Sequence, residues 1–166
     1  IREEENLKYL DIVCVGTISD IVPLVDENRT ISKLGLKLVK QTRNVGLRVL
    51  LESIGYKKID SNTISFGVAP RINACGRMGH EREALQLFLT DDVEEAKNIT
   101  QRLNGYNLER QDIEKRIFNE AQEMLSAEGN KLPCIVLAKE NWHHGVIGIV
   151  SSKMTEMYSK PSILLS

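Results

Sequence analysis

The strongest constraint on this chain is a long helical pattern that begins at Asp91 or Asp92 and reaches about Ser126. Val93, Ala96, Ile99, Leu103, Ile113, Ile117, Ala121 and Met124 recur at helical spacing along it, and the other face is rich in charge. A helix so long and so half-polar is expected to bridge two lobes rather than lie in one core. Gly105 interrupts the pattern, and glycine costs ~1 kcal/mol against alanine inside a helix, so a kink or break is expected there.

The two sides of that helix read differently. Before it, the apolar spacing predicts helices over Glu3 to about Val15, Thr30 to Thr42, Leu47 to Ile54 and Glu81 to Leu89. Pro23 ends the first, a turn is expected at Asp26-Glu27-Asn28, and Gly55 caps the third. Asn62 to Val68 reads as a short helical turn running into Pro70. After it, the pattern changes at Gly129-Asn130. Cys134 to Leu137 reads as a buried strand, Gly145 to Tyr158 as a helix and Ser162 to Leu165 as a second strand. Strand, helix and strand in that order make a βαβ unit with a parallel pair. The fold class is therefore α/β, with a mostly helical part, a linking helix and the start of a second unit. The boundary is expected near 128–132.

Bulk properties narrow the rest. The 166 residues carry a net charge of -1, so the whole chain makes no electrostatic case for nucleic acid, and any such case must be local. Cys14, Cys75 and Cys134 are odd in number and form no CxxC pair, which argues against a disulfide framework or a zinc ribbon and fits a reducing cytoplasm. No apolar run approaches the ~18–20 residues that a membrane span needs. Ile1 and the final SILLS give both ends the look of cuts in a longer protein.

Three segments could carry chemistry. The first is GTISDIVPL (Gly16–Leu24). Asp20 there is flanked by apolar residues, and a buried carboxylate needs a cation, a donor or a cap. A helix-end hydrogen bond and a metal ion both satisfy it. Asp11 is the rival acid, with a hydrogen bond to a neighbouring loop as its ordinary role. The second is PRINACGRM (Pro70–Met78), followed by Gly79 and His80. Arg71 and Arg77 around Asn73 and small residues suit an anion-binding loop, because guanidinium forks match phosphate oxygens. A tight turn whose arginines pair with acids explains the same composition, and His80 reads as a surface residue. The third is WHHGVIGIVSSK (Trp142–Lys153), where a strand meets a helix start. Free N–H groups and the positive end of the dipole welcome an anion there, and Gly145 and Gly148 permit close approach. The His143-His144 pair invites a metal, but Glu140 is the only acid near ligand spacing. Trp142 either stacks on a base or is buried under the loop.

A fourth feature is basic. Between Arg29 and Lys58 there are eight basic residues and one acid, Glu52. Arg29, Lys33, Lys37 and Lys40 share one helix face, which can track a phosphate backbone or simply be solvated.

Taken together, YLDIVCVGTISDIVPL, FGVAPRINACGRMGH, the Thr90–Asp92 and Asn107–Glu114 segments and WHHGVIGIVSSK resemble the RecJ family of the DHH phosphoesterase superfamily, across nearly the whole chain. The resemblance implies the C-terminal part of a DHH domain over 1–90, a linking helix over 91–128 and the start of a DHH-associated domain over 129–166. It implies a 5′→3′ single-stranded DNA exonuclease of repair and recombination, located in the cytoplasm. Two divalent ions, manganese or magnesium, are its implied cofactors. Single-stranded DNA is the implied substrate, with single-strand-binding protein or a helicase as further partners. Asp20 matches a metal-ligand aspartate and so a catalytic residue. Arg71, Asn73, Arg77, His143 and Gly145 match substrate-binding positions. The chain lacks the Asp-His-His triplet and the Asp-x-Asp segment that hold most of the metal ligands in the family, so by itself it is expected to be inactive. Two other readings stand beside this one: a phosphodiesterase for short oligonucleotides or cyclic dinucleotides, and a non-catalytic RecJ-like scaffold in a replication complex.

Overall fold

The computed structural model describes residues 7–128 and 132–166. The elements in chain order are α1 (Leu10–Ser19), α2 (Asp26–Val39), α3 (Val45–Ile54), a π-helical segment (Thr63–Val68), α4 (Ala69–Arg77), α5 (Glu81–Leu89), α6 (Val93–Glu128), β1 (Ile135–Ala138), α7 (His144–Tyr158) and β2 (Ser162–Leu165). The expected helix N-terminus at Glu3–Glu5 and the change of pattern at Gly129-Asn130 lie outside the described residues.

α6 organises everything else. It runs 36 residues without a break, roughly 54 Å at 1.5 Å per residue. The expected kink at Gly105 is absent. An added Cβ there would meet nothing within 4 Å, so the glycine is in open space and the packed turns on either side hold the helix through it. Ala96, Ile99 and Leu103 enter one core, built with Cys14, Leu47, Leu50, Ile64 and Leu87. Ile117, Ala121 and Leu125 enter a second, built with Ile135, Trp142, Val146 and Met154. Val93, expected inside, is 41% exposed, because the helix only begins there. Leu103 and Ile117 are separated by roughly 40° about the helix axis, so both cores lie on nearly the same side of α6 and the lobes face one another.

The second lobe is the expected βαβ unit. β1 and β2 pair in parallel, with Ile135 opposite Ser162 and Ala138 opposite Leu165. Only one face of β1 is buried: Ile135 and Leu137 point inward, while Val136 is exposed.

Two departures in the first lobe have clear causes. Asp26-Glu27-Asn28 is the first turn of α2 and not a separate turn, since acids there complement the positive end of the helix. The Pro70 segment is helical and not a loop. Proline lacks an N–H and fits the first turn of a helix, and the π-helical turns before it let the chain pass from one helix to the next with no donor left unmatched at that position. The cap expected at Gly55 is found, and Asn44, not singled out from the sequence, caps the other end of α3. The Asn44 side chain accepts from the Leu47 N–H at 2.8 Å, and Gly55 takes a left-handed conformation at φ 72°.

All three cysteines are free, and two are sealed in the core. Burial is the main cause that pushes the Cys14 and Cys75 thiols up to about 11, with nearby Asp11 and Glu83 adding to it. At pH 8 both are therefore almost wholly thiol, and a thiolate-selective reagent is expected to label Cys134 first. Labelling of Cys14 or Cys75 in the folded protein as fast as Cys134, read by peptide mass mapping, would contradict this packing.

Candidate active-site cleft

The cleft is made where the C-terminal ends of α1 and α4 meet the start of α7. Asp20 closes α1, its N–H bonded to the Gly16 carbonyl at 3.0 Å. The next residue, Ile21, stands at φ 56° and is 88% exposed. A β-branched residue in that conformation is strained, and such strain collects at functional sites. The sharp turn leaves Asp20 at a corner, exposed. Among the described residues its carboxylate has no hydrogen-bond or ion-pair partner, so the helix-end bond that could have explained it is not made.

A cavity of about 700 Å³ is lined by Asp20, Ile72, Asn73, Gly76, Arg77, Glu81, Ala84, His144, Gly145 and Gly148. A smaller one of about 310 Å³ shares Asp20, Ile72 and Asn73 and adds Ser19, whose buried hydroxyl has no partner. Four of the six expected site residues, Asp20, Asn73, Arg77 and Gly145, are thus brought together from three helices.

The two lobes meet closely at Gly145, through its backbone. Arg77 donates from Nη1 to the Gly145 carbonyl at 3.0 Å. A Cβ at Gly145 would stand 2.2 Å from the Arg77 carbonyl oxygen, so only glycine allows α7 to approach this closely.

The other two expected residues are placed differently. On a helix Arg71 lies roughly 200° from Asn73, on the far side of α4. Its guanidinium donates to the Asn104 side chain and, at 2.7 Å, to the Gly67 carbonyl. Burial lowers its pKa somewhat. It ties α4 to α6 and does not line the cavity. His143 is the N-cap of α7: its Nδ1 accepts from the Gly145 N–H at 3.1 Å. The Val146 and Ile147 N–H groups are also taken, both by the His143 carbonyl. The helix start therefore offers its dipole to an anion more than free donors, and it is His144 that lines the cavity.

Three further residues take their bland roles. Asp11 is buried and accepts from the Thr42 hydroxyl. Trp142 is 3% exposed and donates from Nε1 to Glu120 at 2.7 Å, and that carboxylate is also paired with Lys139 at 3.1 Å. Both bonds hold the Glu120 carboxyl below its usual range. His80 stacks on Tyr106, with ring centres 4.2 Å apart. Glu81, on the cavity rim, was not singled out from the sequence. Acids in the first turn of a helix, here Glu81 and Glu83, read as dipole complement, and nothing in the local pattern marks Glu81 otherwise.

Among the described residues no three His, Cys, Asp or Glu side chains converge to hold a metal ion. Asp20 is chemically suited to supply one oxygen ligand, being unpaired, charged and open to the cavity. A divalent ion prefers about six oxygen ligands, so the remainder must come from elsewhere.

The comparisons with known proteins agree with this architecture. The chain is 39% identical over 160 residues to the single-stranded-DNA-specific exonuclease RecJ of Bacillus subtilis, a match covering 95% of this chain and 20% of that protein. It is 31% identical over 163 residues to the Escherichia coli protein of the same name. The structure of RecJ from Thermus thermophilus in complex with Mg2+ superposes with a TM-score of 0.88 at 38% identity, covering 95% of this chain and 25% of that one. A structure of exonuclease RecJ bound to manganese gives 0.85, covering 40% of that chain. No protein-family model matches. The sequence and the fold thus define a two-lobed segment similar to one part of these RecJ proteins. Over most of its length the chain matches RecJ proteins in sequence and in fold, and it spans 20–29% of the length of the curated relatives it matches.

Proposed function

We propose that this chain is the cleft-forming part of a single-stranded DNA exonuclease that hydrolyses phosphodiester bonds. The observation that supports this reading is the union of an unpaired carboxylate, Asp20, with Arg77, Asn73 and the α7 dipole around one cavity between two lobes. A phosphodiester needs both. Two divalent ions, manganese or magnesium, are held in part by Asp20 in this reading. Such ions supply an activated water and stabilise charge on the phosphoryl oxygens. The chain's own residues bind and orient the strand: Arg77 engages a phosphate oxygen, Asn73 donates a neutral hydrogen bond, and His144 and Gly145 form the opposite wall. His143 and Arg71 act at one remove, by fixing the Gly145 backbone and the seating of α4.

The same proposal takes 1–90 as the end of the DHH domain, 91–128 as the linker and 129–166 as the start of the associated domain. It includes 5′→3′ polarity, a role in repair and recombination, a cytoplasmic location, and single-strand-binding protein or a helicase as partners. Among the described residues Asp20 and Glu81 are the carboxylates on the cavity, too few for two ions, so the 166-residue chain by itself does not turn over substrate in this reading.

Arg77 gives the direct test. In the full-length protein, Arg77→Ala is expected to weaken single-strand binding by about 1.5–3 kcal/mol, the range for a charge-assisted hydrogen bond. The loss should be similar for different base sequences, because phosphate contacts position and do not specify. The slope of log affinity against log salt should flatten by about 0.7. Arg77→Lys should restore the slope but only part of the affinity, since it lacks the fork. If Arg77→Ala binds like the parent across a salt titration, Arg77 serves only the Gly145 contact.

A further inference from the structure

We infer that the exposed face of α2 and the groove at its C-terminal end form a second contact for single-stranded nucleic acid, away from the cavity at Asp20. This rests on the reading that the substrate is a single strand. Its starting point is the basic stretch that the cleft leaves unused. Arg29, Lys33 and Lys37 on α2 and Lys40 at its C-cap all stand exposed, and none has a carboxylate partner among the described residues.

The direction of that ridge is set by packing. Cys14 donates to the Ser32 carbonyl, Gly35 admits the Cys14 side chain, and Thr42 bonds Asp11. α2 therefore runs antiparallel to α1. Its start lies at the Asp20 end of the pair, and its finish lies at the Asp11 end, roughly 14 Å away along α1. The basic ridge spans the distance between the two.

At the far end it meets a groove of about 290 Å³, lined by Lys40, Arg48, Leu51, Tyr56 and Ile59, with Glu52 its only acid. Tyr56 is 46% exposed. Its ring has a fixed seat, because Gly67 leaves the space that the Cε2 edge occupies: a Cβ there would stand 2.7 Å away. Unpaired cations beside a seated, half-exposed aromatic ring over apolar side chains suit a nucleotide, with phosphate on the cations and a base on the ring. An acidic protein would use the cations and leave the ring and the apolar lining idle.

The test uses the full-length protein and oligothymidylates of two lengths, one confined to the cleft and one long enough to reach Tyr56. In Lys37→Gln/Lys40→Gln/Arg48→Gln, the salt slope for the long strand should flatten by about 2, near 0.7 for each lost contact. Tyr56→Leu should weaken long-strand binding about tenfold, as expected for one lost stacking contact. In both, the short strand should lose clearly less. Unchanged thermal melting shows that the fold is kept, and Lys33→Gln/Lys37→Gln, wholly on the exposed face, repeats the test without touching the groove. Equal losses for both lengths, or none, overturn this inference while leaving the proposed function standing. A parent protein that binds neither strand overturns both.

Discussion

In the full-length protein, Asp20→Asn is expected to cut phosphodiester turnover by about a hundredfold or more while leaving thermal stability within about 0.5 kcal/mol of the parent. The two halves of that expectation come from the same geometry. Asparagine keeps the shape of the side chain and one acceptor oxygen but removes the charge that a divalent ion needs. Losing even an outer partner of a metal ligand costs about 10–100-fold, so losing a ligand costs at least the upper end of that range. The carboxylate is exposed and makes no internal bond, so the fold has nothing to lose by it. Raising the manganese concentration should recover part of the activity, because the weakened site can be filled by mass action. A variant with near-parent turnover at low manganese would show that Asp20 only ends a helix and that the ions sit elsewhere.

Gly145→Ala is expected to strike structure and function together. The added methyl would lie 2.2 Å from the Arg77 carbonyl oxygen and 3.0 Å from its carbon, and both are backbone atoms. Neither can swing aside as a side-chain tip would, so α7 must move away from α4. Overpacking of this kind costs about 1–3 kcal/mol, and a backbone obstacle puts it near the top of that range. The shift also breaks the Arg77 bond to the Gly145 carbonyl and widens the cleft, so single-strand affinity should fall along with melting temperature. Gly148→Ala is the control for melting alone, because a Cβ there meets no protein atom within 4 Å although the residue lines the cavity. If Gly145→Ala melts and binds like the parent, the two lobes do not need this contact to form the cleft.

Much of the fold was legible because it is periodic. The α6 pattern, the βαβ unit and the cap at Gly55 rest on spacing and on residues with one strong local preference. The site was legible only as composition. The PRINACGRM stretch announces arginines among small residues, but its proline and its glycine suggest a loop, and a loop lets both guanidinium groups converge. Once the segment is a helix, the spacing from Arg71 to Arg77 sends them to different sides. The same limit explains the histidines. Adjacent residues at a helix start point in different directions, and only the backbone geometry decides that His143 caps while His144 faces the cavity. Trp142 is the converse case: its burial against Glu120 depends on a carboxylate 22 positions away, which no local pattern reveals.

The unbroken α6 acts as a torsion bar between the lobes. It fixes their relative angle by counting residues. One residue inserted between Leu103 and Ile117 would shift the second lobe by only 1.5 Å along the axis but would turn it by roughly 100°, carrying Gly145 away from Arg77. Two turns, seven residues, would nearly restore the angle and yet displace the lobe by roughly 10 Å. Neither change leaves the cleft in register. In this stretch the chain's length is therefore as much a part of the site as any side chain, and single-residue insertions there should be tolerated far less than substitutions at its exposed positions.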